Sequence, residues 1–265
     1  MADGEITRCG VRIEPGDRLE AGDELEWRRP PWEEPPVPTQ IPVLYEDHDL
    51  IVVDKPAGLP VVPAGGYLEN TLVHLMGISH PVPEPPVPVH RLGRGTSGAL
   101  LLARTARARA SLCAQFRRGG GEEGAVRKIY RAITGDVVGL PNEIEILQPI
   151  GLVPHAGLGA VHAAALDGLP ACSRCRILAR SGSRVIWEID LVTGRPHQIR
   201  IHLASIGAPL LGDPLYGPGG VPLPGSDALP GDIGYTLRAC SLGFAHPATG
   251  APMEVHAPIP PELMP

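Results

Sequence analysis

Glycine and proline interrupt this chain at short intervals, and that spacing limits what it can become. There are 33 Gly and 32 Pro among 265 residues, about a quarter of the chain. They stand between apolar runs rather than in a repeat. The pattern reads as short elements joined by many turns, not as a collagen-like or low-complexity chain. With 43% hydrophobic residues, a chain of this length can bury a sizeable core. It suits one large domain, or one domain with a small appendage.

Residues 1–38 read as a small module followed by a linker. GVRIEPGDRLEAGDELEW alternates apolar and polar residues around Pro-Gly and Gly-Asp turns, which predicts short strands. RRPPWEEPPVP is extended, because each Pro disfavours helix for itself and for the residue before it. Residues 39–265 form the main domain. Tyr45 to Val53 predicts one strand closed by the turn KPAG, and TLVHLM (71–76) a short helix. PVPEPPVPV (81–89) is extended and SGALLLAR is a buried strand. TARARASLCAQFRRG predicts a helix capped by Thr105, apolar along Leu112 and Phe116, and ended by Gly119. KIYRAITGDV (128–137) is a strand, and residues 139–170 give weak signals. CRILAR and VIWEIDLV form a hairpin around SGS. HQIRIHLASIG starts as a short helix. Residues 218–232 are a mobile loop, and LGFAHPATGAPMEVHAPIP is a closing hairpin. Strands and helices mixed without regular βαβ spacing predict an α+β fold, its sheet mixed and largely antiparallel with flanking helices.

The net charge of −6 hides a division along the chain. Residues 1–50 carry thirteen acids against five Arg; residues 91–131 carry nine Arg and Lys128 against Glu122 and Glu123. The basic segment is compatible with a polyanionic partner, or with solvated helix faces. No apolar run approaches the ~18 residues a membrane span needs, and the N-terminus lacks the apolar core of a signal peptide. A cytoplasmic location is expected, with an organelle as the alternative. Five irregularly spaced Cys fit reduced thiols. Cys172 and Cys175 form a CxxC without two further ligands at suitable spacing. No metal is expected.

Gly93, Gly95 and Gly98 spell GxGxxG, the dinucleotide fingerprint. That fingerprint follows a strand and opens a helix. Here a Pro-rich stretch precedes it and an apolar strand follows, so a nucleotide site of that kind is rejected.

Several stretches in order carry a resemblance instead. They are VLYEDHDLIVVDKPAG, HRLGRGTSG, RKIYRAITG, TGRPHQIRIHLASIG, GDPLYG and FAHPATG…HAPIP. Together, over about 220 residues from Val43 to Pro260, they resemble the RluA-type pseudouridine synthases, which isomerise uridine within RNA. The resemblance implies the pseudouridine synthase fold, RNA as partner, and no metal or organic cofactor. The first 38 residues resemble a truncated form of the small RNA-binding module that often precedes this domain. A monomer is the default.

The resemblance also implies roles. Arg91 would enter the stack where the target uridine flips out. Tyr130 would stack on the flipped base. Arg200 would orient the catalytic Asp. Arg94, Arg195, His197 and Gln198 would lie along the RNA. These residue types suit the chemistry: a base must leave the stack to be reached, and phosphates favour Arg. Each also has a structural reading, as a core aromatic, a helix-terminal histidine or a surface ion pair.

One position departs from the family. Its pattern reads H-R-L-D, with the Asp as catalytic group, and this chain has Gly93 there. A plant-type branch carries the same Gly. Glycine can act neither as nucleophile nor as base, and Arg200 loses its expected partner. Three explanations stand: another carboxylate fills the gap, with Asp54 and Asp213 as candidates; the pocket binds RNA without chemistry; or RNA phosphate or water replaces the carboxylate. A carboxylate reaching Arg200 favours an isomerase with an atypical site. A solvent-filled gap beside Gly93 favours an RNA-binding pseudoenzyme.

Overall fold

The computed structural model describes residues 5–14, 16–28, 32–81 and 85–265. Parts of the extended segments 28–38 and 81–89 fall on residues 29–31 and 82–84, outside the described residues. The chain divides into two units, Met1–Pro35 and Pro36–Pro265. The first holds an antiparallel sheet ordered β2-β1-β3, from β1 (Glu5–Arg8), β2 (Val11–Arg12) and β3 (Leu25–Arg28).

The second unit begins with a hairpin, β4 (Val43–Glu46) and β5 (Leu50–Lys55), where one strand over 45–53 is expected. Asp47 makes the turn. Its Oδ1 accepts from the backbone N–H of Asp49 (2.8 Å) and Leu50 (2.9 Å), a local bond that competes with strand continuation. Then come α1 (Leu72–Ser79), β6 (Val87–Pro88), β7 (Ser97–Ala103), α2 (Ala106–Arg117) and β8 (Arg127–Gly135). The weak stretch that follows contains β9 (Glu143–Ile146), β10 (Ile150–His155) and β11 (Gly159–Ala164). β12 (Ser173–Ser181) and β13 (Arg184–Leu191) form the expected hairpin, and α3 (Gln198–Ser205) the expected helix. The segment 218–232 is not loop throughout: β14 (Tyr216–Gly217) pairs with β15 (Val221–Pro222). β16 (Leu237–Ala245) and β17 (Pro252–His256) close the unit as a hairpin.

Ten of these strands share one sheet, ordered β4-β5-β7-β16-β8-β13-β12-β9, with β17 on β16 and β6 on β7. Only β16 and β7 run parallel; every other pairing is antiparallel. The expected α+β class with a mixed, largely antiparallel sheet is what is observed.

The apolar runs LIVV and ALLL are continuous because both sheet faces are covered. Successive side chains point to opposite faces. Leu50, Val52 and Leu101 pack with Ala108 and Leu112 of α2, while Ile51, Val53, Leu100 and Leu102 pack with Leu72 and Met76 of α1. α2 starts as the sequence predicts, Thr105 accepting from the Ala108 N–H, while Thr71, expected inside α1, caps it by accepting from the His74 N–H. The third glycine of GxGxxG has a packing reason. Gly98 has φ +110°, and a Cβ there would collide with the Ala239 backbone on β16.

Candidate active site

A cavity of about 540 Å³ lies between the segment 90–96 before β7, the middle of β8, and the turn 191–195 leading into α3. Lys55 and the turn after it hold the first of these. Lys55 is fully buried. Its Nζ donates to the carbonyls of Pro56 (2.9 Å), Leu59 (2.8 Å) and Arg94 (3.3 Å), and the Gly58 N–H reaches the same Arg94 carbonyl at 2.8 Å. The KPAG motif therefore fixes the backbone beside Gly93.

Gln198 holds the opposite wall. Its Oε1 accepts from Thr193 Oγ1 (2.7 Å) and the Arg195 N–H (3.0 Å), and its Nε2 donates to Cys172 O and Ser173 Oγ, both at 2.9 Å. Gln198 lines the cavity, but its amide is fully engaged within the protein. His197 starts α3 with φ +55°, and its Nδ1 bonds Tyr216 Oη at 2.8 Å. Burial, aided by the nearby Arg200 charge, pushes the His197 pKa down to about 3, so it is neutral.

Arg200 projects from α3 into the core edge. Its Nε and Nη2 donate to the two oxygens of Asp213 at 2.7 Å each, and Nη1 to the Pro230 carbonyl at 2.8 Å. The pair is about as buried as the protein allows, with side-chain exposures of 2% and 1%. Arg200 also faces two aromatic rings, Tyr216 at 4.9 Å and Tyr235 at 4.4 Å from the ring centroids. Asp213 Oδ1 accepts further from the Leu215 and Tyr216 N–H groups. Asp213 is thus the carboxylate that reaches Arg200, but both its oxygens are engaged by that guanidinium and it does not line the cavity. The other candidate, Asp54, pairs with Arg238 at 2.7 Å and does not line the cavity.

The cavity collects cations without acids. Arg91, Arg117, Arg118, Lys128, Arg195 and Arg200 line it, and no Asp or Glu does among the described residues. Arg91 is exposed and makes no hydrogen bond or ion pair among the described residues. Lys128 is half-buried and makes none either; burial lowers its pKa, opposed by Asp190. Arg195 keeps one contact, Nε to Pro170 O at 3.0 Å. Tyr130 is buried on the cavity wall, and burial raises its phenol pKa. Arg94 is not brought to the cavity. It bonds Gly231 O (2.7 Å) and Tyr67 Oη (2.8 Å), which secures the 218–232 segment instead.

Of the residues singled out in the sequence, Arg91, Gly93, Tyr130, Arg195, His197, Gln198 and Arg200 share this cavity. Lys55, Lys128 and Tyr235 escaped that reading. Lys128 stands two residues before Tyr130 on the same face of β8, as a period of two requires, and that spacing was available. Tyr235 has no local signal; only the fold carries it beside Gly93.

An acid-free basic cavity with an aromatic wall, against the inner strand β8 of a largely antiparallel sheet, has the chemistry to take a nucleobase carried on a phosphate chain. Comparison with known proteins gives this site its class. Residues 49–205 match the family model described as RNA pseudouridylate synthase. The chain is 48% identical over 261 residues to an uncharacterized RNA pseudouridine synthase of Synechocystis, covering 98% of this chain and 87% of that one. It is 39% identical to RNA pseudouridine synthase 5 of Oryza sativa, covering 98% and 77%. It is 35% identical to ribosomal large subunit pseudouridine synthase D of Xanthomonas campestris, covering 99% and 78%. The human protein RNA Pseudouridylate Synthase Domain Containing 1 has the same fold, with a TM-score of 0.65 at 22% identity over 87% of this chain and 89% of that one. The chain belongs to the RNA pseudouridylate synthase family, whose members are isomerases acting on RNA.

Proposed function

We propose that this protein converts a uridine to pseudouridine within a structured ribosomal or transfer RNA, using a site that lacks the usual carboxylate. The reading takes it as a cytoplasmic monomer that needs neither metal nor organic cofactor. One observation carries it: the buried Tyr130 face and the fixed Arg200 guanidinium meet in a single cavity whose other charged groups are all cationic. A flipped base needs a flat surface to replace its lost stacking, and the flanking phosphates need cations. Arg91 and Lys128 are free to meet those phosphates. Tyr130 supplies the surface, and Arg200 a positive charge that Asp213 keeps in place.

A second reading is favoured by the missing carboxylate: an RNA-binding pseudoenzyme of the same fold. A pseudouridine map of total RNA, with and without the gene, separates the two. The isomerase reading expects one defined site to disappear, restored by wild type but not by Tyr130→Ala or Arg200→Ala. An unchanged map combined with tight RNA binding favours the binder.

A further inference from the structure

We infer that the phenol of Tyr235 takes the place of the carboxylate that Gly93 lacks. The inference rests on the isomerase reading above.

Neither space nor backbone demands glycine at position 93. A Cβ there would meet Thr96 Oγ1 and Tyr235 Oη, each at 3.5 Å, which is ordinary contact. Position 95 is different. A Cβ on Gly95 would lie 2.9 Å from both Oη and Cζ of Tyr235. The loop is shaped to admit this ring, and the ring brings its oxygen to where a side chain at position 93 would begin.

The Tyr235 ring is buried, faces the Arg200 guanidinium at 4.4 Å, and lines the cavity. Its Oη has no hydrogen-bond partner among the described residues; the Tyr130 phenol has none either, but it does not come within 4 Å of a Cβ at position 93, where Tyr235 Oη does. Tyr216 Oη donates to the His162 carbonyl at 2.6 Å and meets His197. Asp213 is held on both oxygens by Arg200, with two backbone N–H groups also on Oδ1, and does not line the cavity. Thr96 offers an aliphatic hydroxyl, a far weaker acid than a phenol. Tyr235 is the free phenol that stands both at position 93 and on the Arg200 guanidinium, which attracts the electron-rich face of its ring. Tyrosine is an established nucleophile at anomeric carbons in sialidases.

The step balances without a co-reactant. The Tyr235 oxygen bonds to C1′ of the target uridine as the C1′–N1 bond breaks, and the phenol proton passes to the departing base at N1. The freed uracil turns. Its C5 then bonds to C1′, and the C1′–oxygen bond breaks to release the phenolate. The proton lost from C5 returns to that phenolate. The product carries hydrogen on N1 and a C5–C1′ bond, and the enzyme is restored.

The test is Tyr235→Phe, which keeps the ring on Arg200 and against Gly95, compared with the double variant Gly93→Asp/Tyr235→Phe. Pseudouridine formation is measured on the RNA site that the deletion map identifies, alongside RNA affinity. Tyr235→Phe is expected to lower kcat by ~100-fold or more with RNA affinity unchanged, and the added carboxylate to restore at least a tenth of wild-type turnover. A Tyr235→Phe protein within twofold of wild type overturns the inference alone. A double variant as inactive as Tyr235→Phe overturns it too, by making the loss structural. A wild-type protein that forms no pseudouridine overturns the isomerase reading itself.

Discussion

Arg200 and Asp213 face each other through two parallel hydrogen bonds of 2.7 Å, both side chains almost completely removed from solvent. Planar guanidinium and planar carboxylate match in this geometry. The pair sets the guanidinium beside the cavity, where it meets Tyr235 rather than a carboxylate at position 93. Arg200 is therefore compensated before any substrate arrives.

Removing one charge of this pair exposes the cost of the other. Asp213→Asn keeps an acceptor for the Leu215 and Tyr216 N–H groups but leaves the guanidinium unpaired. Breaking a buried pair this way costs about 3–5 kcal/mol. For a unit of this size that lowers Tm by roughly 6 °C or more. Calorimetry checks it; a Tm within one degree of wild type contradicts the compensated-pair account.

Gly93 and Gly95 respond differently to one methyl group. Gly93→Ala meets only ordinary contacts at 3.5 Å, so its effect on stability is expected to stay within about 0.5 kcal/mol. Gly95→Ala must displace the Tyr235 ring and is expected to cost about 1–3 kcal/mol. Urea unfolding of the two variants side by side decides this, and equal losses contradict it.

How much of this could be read from residues alone follows from the range of the signals. The cap Thr105, the hairpin around Gly182-Ser183 and the buried runs of β5 and β7 are local or periodic, and all were legible; the cap at Thr71 was not read, its residue being taken into the helix. The β4–β5 turn was hidden because Asp47 closes it with side-chain bonds inside an otherwise strand-like stretch. β9 to β11 lie in a Gly-, Ala- and Pro-rich stretch where alternation is weak. Of the site, the family-patterned residues were legible. The pairing of Arg200 with Asp213 was legible only as one candidate among two. Tyr235 at Gly93 was not, since it depends on strand order across the sheet.

Lys128 and Arg91 are expected to hold phosphate. Replacing either by Ala removes one unpartnered cation from the cavity edge without breaking a protein contact. Affinity for the substrate RNA is expected to fall, and the slope of log K against log salt to decrease by about 1 for each. Binding isotherms between low and moderate salt measure this. An unchanged slope contradicts the phosphate role.

Acid destabilises the fold through its buried histidines. Burial, aided by Lys128, lowers the His90 pKa to about 3; burial and Arg200 do the same for His197; burial takes His202 to about 4. Between the ordinary value of 6.5 and these values, the unfolded chain binds protons that the folded chain refuses. Stability is full above pH 6.5 and falls as pH drops toward 4, by roughly 1–2 kcal/mol per histidine at pH 5. Asp47, held down to about 2, contributes only below its ordinary range, so the window from 6.5 to 5 belongs to the histidines. Urea midpoints at pH 7.5, 6 and 5 should fall in that order; a flat series contradicts it.

The central claim is that a cavity without a carboxylate still moves uracil from N1 to C5. Joining C5 to C1′ expels the hydrogen on C5, so the most direct measurement is tritium release. RNA from cells lacking the gene, labelled with 5-tritiated uridine, is incubated with the purified protein. The account predicts release over many turnovers, one tritium for each pseudouridine formed. Tight binding of that RNA with no tritium released above the enzyme-free control contradicts it.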